Sequence, residues 1–469
     1  MNRRERTRRR QLLKIAATGG AAYAFGRMSD AVYGQALSAY ARFADYKALV
    51  CVFLFGGNDS WNMVVPRSAA EYQAYQLARQ NLAVDQAALL PVTPLTPLPN
   101  GAQLGLHPSM AEIATLFEQD GACAVVANIG PLLTPTALDQ YQARSVPLPP
   151  QLFSHNDQQD QWHSLRGRAV SSTGWAGRIA DALGTQTGPA LPLNVSLSGQ
   201  TLYQAGASTQ PYVIGPDGPV DFFGLDGTDA LSVARKGGFE AVLGASYGTL
   251  YERAFTAVQQ RALRSAQTIN TALATVRAPN AAPFATVFPA TPLGTQLRTV
   301  AEMIAVRGAL EASRQIFFVA TGGFDSHDDQ VQDQPGLLAN VSACLNAFYR
   351  ATVEMGVARN ITAFTQSDFG RTLTSNGDGT DHAWGGVQLV LGGAVRGHDV
   401  YGNYPVLRLG ATLAADGADD VGGGRFIPTT SSDQYAATLA RWFGVLDADL
   451  ARVAPSIDNF PQRDLGFLT

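Results

Sequence analysis

Three short, uninterrupted apolar runs that each stop at an aspartate constrain the fold of this chain more than any other feature. Leu49–Phe55 runs into Gly56-Gly57-Asn58-Asp59-Ser60, Ile316–Ala320 into Gly322-Gly323-Phe324-Asp325-Ser326-His327, and Ile361–Thr365 into Ser367-Asp368-Phe369-Gly370-Arg371. Successive side chains of a strand point to opposite faces, so a run without polar alternation is buried on both, as in a parallel sheet covered by helices. The full set of candidate strands is Ala48–Phe55, Ala122–Ile129, Leu193–Leu197, Gln315–Ala320, Ile361–Thr365 and Val387–Leu391. Helical patterns lie between them, near residues 109–119, 157–165, 175–183, 239–276, 293–307, 337–355 and 432–443. This alternation predicts an α/β fold with a doubly wound, mostly parallel sheet. The Ala-rich stretch Tyr247–Val276 and the four-proline loop Ala278–Pro292 break the rhythm and predict a helical insertion at about 239–292.

Ligands of open α/β sheets gather beyond the carboxyl ends of the strands. Asp59, Asp325 and Asp368 all stand there, with His327 two residues past Asp325. The loop Gly379-Thr380-Asp381-His382-Ala383-Trp384-Gly385-Gly386 precedes Val387–Leu391 and can return to the same edge. Carboxylates converging on one edge repel unless a cation neutralises them. Mixed Asp and His donors suit zinc or manganese, and a mostly oxygen set suits magnesium or calcium; the residues alone leave that choice open. Singly, each aspartate reads more readily as an Asx turn or a helix cap than as a ligand.

The N-terminus carries Arg8-Arg9-Arg10-Gln11-Leu12-Leu13-Lys14 ahead of an Ala- and Gly-rich apolar stretch. That is the pattern of an export signal, with Arg9 and Arg10 as a twin-arginine pair, and cleavage is expected after Gly34-Gln35-Ala36. The expected layout is therefore a signal peptide at 1–36 and one α/β domain at 37–469, in the periplasm or otherwise outside the cytoplasm. Residues 1–36 hold eight Lys+Arg and two Asp+Glu, so the rest of a chain of net charge −4 stands near −10. An acidic body excludes nucleic acid as an expected partner. No later apolar run reaches the roughly 20 residues that span a bilayer. Cys51, Cys123 and Cys344 lie in apolar patterns without paired spacing and read as core thiols.

The motifs, taken in order, resemble a bacterial family known as domain of unknown function 1501. Gly56-Gly57-Asn58-Asp59, Ser154-His155-Asn156-Asp157, Gly174-Trp175, Gly322-Gly323-Phe324-Asp325-Ser326-His327, Ser367-Asp368-Phe369-Gly370-Arg371-Thr372, Gly379-Thr380-Asp381-His382 and Ile427-Pro428-Thr429-Thr430 carry the likeness over about residues 47–462. The family is grouped with the alkaline phosphatase and sulfatase superfamily, and its members generally carry twin-arginine signals. The resemblance implies an alkaline phosphatase-like fold and a divalent metal site, with Asn58, Asp59, Asp325, His327, Asp368 and His382 in ligand positions. Phe369 stands where related loops carry an imidazole. The resemblance also implies a nucleophile at a helix N-terminus: Ser154 fits, with His155 beside it, and Ser60 is the alternative. Arg371 is the candidate to steady an anionic substrate or, equally, to make a structural ion pair. No cysteine has the sulfatase context. Two functions remain open at this level: a metal-dependent hydrolase of phosphate or sulfate esters, or an exported binding or assembly protein without turnover.

Overall fold

The computed structural model describes residues 43–98, 101–167, 170–184, 191–219, 225 and 227–469. The signal-like segment with Arg9 and Arg10 lies outside them. In chain order the strands are β1 (Lys47–Leu54), β2 (Val64–Pro66), β3 (Leu90–Val92), β4 (Leu104–Leu106), β5 (Cys123–Gly130), β6 (Asn194–Ser196), β7 (Tyr212–Val213), β8 (Arg314–Thr321), β9 (Ile361–Ser367), β10 (Gly386–Leu391), β11 (Asp399–Tyr401) and β12 (Thr430–Ser431). All six apolar runs of the sequence are strands of one sheet, in the order β11-β5-β10-β9-β1-β8-β6-β7, with β12 also paired to β5. β2, β4 and β3 form a separate small antiparallel sheet.

The alternating side chains of β1 explain why its sequence does not alternate. Ala48, Val50, Val52 and Leu54 enter one buried cluster with the helices Ala111–Glu118, Pro292–Ala305 and Gln330–Glu354. Leu49, Cys51 and Phe53 enter another with the helices Trp175–Leu183 and Ser432–Phe443. Both faces of the sheet are therefore apolar and covered. Cys51, Cys123 and Cys344 are buried free thiols.

The order of the strands positions the site. β8, β1 and β9 are parallel neighbours, and in their register Leu54 stands beside Thr321 on one side and Ser367 on the other. Three chain exits thus sit level at one edge. β10 runs antiparallel to both β9 and β5, which brings the segment entering it, Asp381 to Gly385, back to that same edge. Among the described residues no helix is long and apolar enough to cross a membrane. The helices Ala230–Gly244 and Leu250–Arg277 lie between β7 and β8 in the chain.

Candidate metal centre

Two glycines shape the first tip. Gly56 has φ +114°, and a Cβ there would meet the backbone of Phe324 and Asp325; Gly57 has φ +83°, and a Cβ there would enter the Phe369 ring. Only glycine accepts that conformation and that approach. The β1 exit can therefore lie flat against the β8 and β9 exits.

Asp325 Oδ1 is the centre of the cluster that results. His155 Nε2 lies 3.4 Å from it, His327 Nε2 3.1 Å and His382 Nε2 3.4 Å. His327 Nε2 and His382 Nε2 are 2.9 Å apart. His155, Asp325 and His382 offer ligand atoms that all lie within 4.8 Å of one another, a group that could hold a metal ion. Donors on a tetrahedral zinc at about 2.0–2.1 Å stand roughly 3.3 Å from each other, so these separations fit such a set.

The far side of each imidazole is also engaged. His155 donates from Nδ1 to Asp368 Oδ2 at 2.6 Å, and His382 donates from Nδ1 to the Phe153 carbonyl at 2.8 Å. His327 Nδ1 faces Asp381 Oδ1 at 3.4 Å. A ring whose Nδ1–H is spent on a carboxylate or carbonyl presents its Nε2 lone pair, the arrangement that orients metal-binding histidines. Burial, partly opposed by the Phe153 bond, holds His382 below the ordinary imidazole pKa, with the charges of His155, Arg371 and His327 acting in the same direction. Burial works to raise the Asp325 carboxyl, but the Arg371 bond and the charges of Arg371, His155 and His327 outweigh it and hold it low. A neutral imidazole beside an ionised carboxylate is the protonation state that binds cations.

The other expected site residues are placed differently. Asp368 does not join the donors but sits behind His155, where its Oδ2 also accepts from Gln159 Nε2 at 2.8 Å and the Gly56 amide at 3.2 Å, while its buried Oδ1 has no partner among the described residues. Asp59 is turned away: its carboxylate is fully buried in an ion pair with Arg79, accepts from Gln330 and caps the helix Ser60–Met63 at the Trp61 amide. Asn58 is buried, with its amide nitrogen donating to Ser367 Oγ and its side chain against Met63. Arg371 corrects the idea of a substrate-facing cation. It is fully buried, and its nitrogens are committed to the carbonyls of Gly57, Thr380 and Gly56 and to Asp325, so it clamps the strand exits together.

Ser154 stands at the N-cap of the helix His155–Ser164, with its hydroxyl donating to Asp157 Oδ2 at 2.6 Å. Ser60 is buried and accepts from the Val387 amide. Phe369 packs its ring against His155 and His382, at 4.7 and 4.5 Å between centroids.

A cleft of about 400 Å³ opens on the cluster, lined by His327, Asp381, His382, Tyr141, Phe153 and Arg425. A second, of about 690 Å³, shares Tyr141 and Phe153 and runs along residues 141–153. Arg425 was not among the residues expected from sequence. It is half-buried, stacks 5.5 Å from the Phe153 ring and donates to the carbonyls of His382 and Gly422, and no carboxylate of the described residues pairs with it. Its only signal in the sequence is its position after Gly422-Gly423-Gly424, two residues before the Ile427-Pro428-Thr429 motif.

Among known proteins, no curated protein matches the chain. One solved chain, described as "Metabolism of multiple glycosaminoglycans by bacteroides thetaiotaomicron is orchestrated by a versatile core genetic locus", aligns at 10% identity over 86% of this chain and 74% of its own, with a TM-score of 0.30. So loose an overlap assigns neither fold family nor reaction. The profile of the family described as protein of unknown function (DUF1501) matches residues 46–449, which take in every strand tip and all three histidines of the cluster, and the chain belongs to that family.

Proposed function

We propose that this protein is a metal-dependent hydrolase of phosphate or sulfate esters, exported by the twin-arginine route, with one divalent ion held by His155, Asp325, His327 and His382. The observation that carries the reading is the set of three imidazole Nε2 atoms within 3.1–3.4 Å of one carboxylate oxygen. Three nitrogens and one oxygen favour zinc over magnesium or calcium. Such an ion supplies Lewis acidity, polarising an ester oxygen and activating water. Asp368 and Gln159 fix the tilt of His155, the Phe153 carbonyl fixes His382, and Arg371 holds Asp325 in place. Arg425 takes the part of anion-binding group, since its guanidinium lines the cleft and has no carboxylate partner among the described residues. The alkaline phosphatase-like assignment of the fold belongs to this proposal and rests on the motif order.

A second reading, an exported binding protein that keeps the metal without turnover, is favoured by one specific observation: the Ser154 hydroxyl is spent on Asp157. Metal analysis of the purified mature chain, melting curves with and without chelator, and a panel of aryl and sugar phosphates and sulfates separate the possibilities. At about 100 times its dissociation constant an ion adds about 2.7 kcal/mol of stability, so chelation lowers Tm. His327→Ala or His382→Ala lowers it similarly, and chelation then adds little, because both changes remove one site. Bound metal with no turnover selects the binding protein. No metal and no chelator effect removes both readings of the cluster.

A further inference from the structure

The cleft on the metal cluster continues into a larger one that the metal chemistry leaves unused. This larger cleft, of about 690 Å³, shares Tyr141 and Phe153 with the first, and its wall is the segment from Arg144 to Phe153. That segment is held in a conformation its residues do not favour. Gln151 has φ 47° and Phe153 φ 73°, left-handed values that are uncommon for any residue with a Cβ and least expected for a bulky one. Strain of this kind persists only where the surroundings impose it, and it gathers at ligand clamps. The Pro150 carbonyl accepts from Gln161 Nε2 at 2.7 Å, the Phe153 carbonyl accepts from His382, and Leu148, Leu152 and Phe153 pack on the buried cluster of Leu132, Trp384 and Ile427. Pro147, Pro149 and Pro150 fix three further φ angles. The wall is therefore preformed, and one of its residues is bonded directly to a histidine of the metal cluster.

We propose that the larger cleft seats the alcohol part of an extended ester that bears a second anionic group, a placement that rests on reading the metal cleft as the seat of the phosphate or sulfate. Tyr141 and Phe153 belong to both clefts, so a ligand longer than its anionic head enters the second cleft along these two rings. A space of several hundred Å³ walled by proline, leucine and aromatic side chains suits the faces of rings or hydrocarbon. Arg144 is the one charged residue lining it among the described residues, it is exposed, and no described carboxylate pairs with it. A guanidinium in a wall without carboxylates selects a carboxylate, phosphate or sulfate on the ligand. The favoured substrate is thus anionic at both ends, with one end at the metal and Arg425 and the other at Arg144.

Calorimetric titration of the metal-loaded mature chain with phenylphosphonate, biphenylphosphonate and carboxybiphenylphosphonate tests the cleft without turnover. Affinity is expected to rise along that series, by at least about tenfold from first to last. Arg144→Gln makes the two biphenyl compounds equal, and Arg144→Lys restores part of their difference. Hydrolysis of the matching phosphate and sulfate esters separates this proposal from the reading on which it rests. Graded phosphonate binding with no ester hydrolysed supports the seat of the extended ligand and removes the hydrolase. Hydrolysis with one kcat/KM for all lengths, and phosphonates of equal affinity, leaves the hydrolase and overturns the seat. A difference between the biphenyl compounds that survives Arg144→Gln overturns the assignment of the second anionic group, and no phosphonate binding at all overturns the whole proposal.

Discussion

Asp59 and Asp368 follow neighbouring strands in the same way and carry different loads. Asp59 neutralises the buried Arg79, and breaking such a pair by removing one partner costs about 3–5 kcal/mol. Asp59→Asn is therefore expected to lower the urea midpoint strongly while leaving metal affinity unchanged. Asp368→Asn keeps the shape but weakens the acceptor of the His155 proton, and loss of such an outer partner costs about 10–100-fold in metal affinity. Competition with a chromogenic chelator should show that loss with only a small change in midpoint; equal affinity in Asp368→Asn and the native chain would remove the orienting role. The sequence treats the two aspartates alike because a strand tip is all that it displays. What separates them is Arg79, twenty residues on, and His155, more than two hundred residues back.

At the scale of elements, the turn after β1 and the first turn of the helix Ser432–Phe443 give the sharpest expectations. Gly57→Ala puts a methyl group about where the Phe369 ring lies and demands a left-handed backbone, so stability falls and the ring against His155 and His382 is displaced. Calorimetry and near-ultraviolet dichroism read the two effects. Asp433 lies wholly buried in the first turn of its helix; burial pushes its carboxyl up to about 7, against the pull of the Ser456 amide and the Arg178 charge. Between the unfolded value near 3.8 and about 7 the native state holds a proton that the unfolded chain has lost. Stability contributed by Asp433 is thus full below that window and is lost as pH rises through 7. Asp433→Asn should flatten the unfolding free energy between pH 5 and 8 relative to the native chain, and an unchanged slope would assign it to other groups. Strands and most helices were legible because continuous apolar runs and helical spacing are local. The antiparallel sense of β10 was only permitted by the sequence, and the small sheet of β2, β3 and β4 was not visible, since its strands are three residues each.

At the scale of the whole molecule, the N-terminus is basic and the remainder acidic, and the proposed export rests on that basic segment. Replacing Arg9 and Arg10 together with Lys should leave the protein in the cytoplasm with its leader attached, as fractionation and N-terminal sequencing would show; unchanged export would rule out the twin-arginine route. The amino-acid order alone determined that a largely parallel sheet covered on both faces would form, because burial on both faces leaves runs with no polar alternation. It also determined that acidic and imidazole groups would stand where those runs end. Only the tertiary structure decided which of them meet. The lateral order β8-β1-β9-β10 and the direction of β10 bring Asp325 and His382 together, with His327 against both, and a helix from elsewhere in the chain adds His155. The same packing aims Arg79 at Asp59 and spends Arg371 on the strand exits, leaving Arg425 to face the cleft. Hydrophobic pattern is a property of each segment by itself, whereas the convergence of donors depends on how segments cross and in what order they lie side by side.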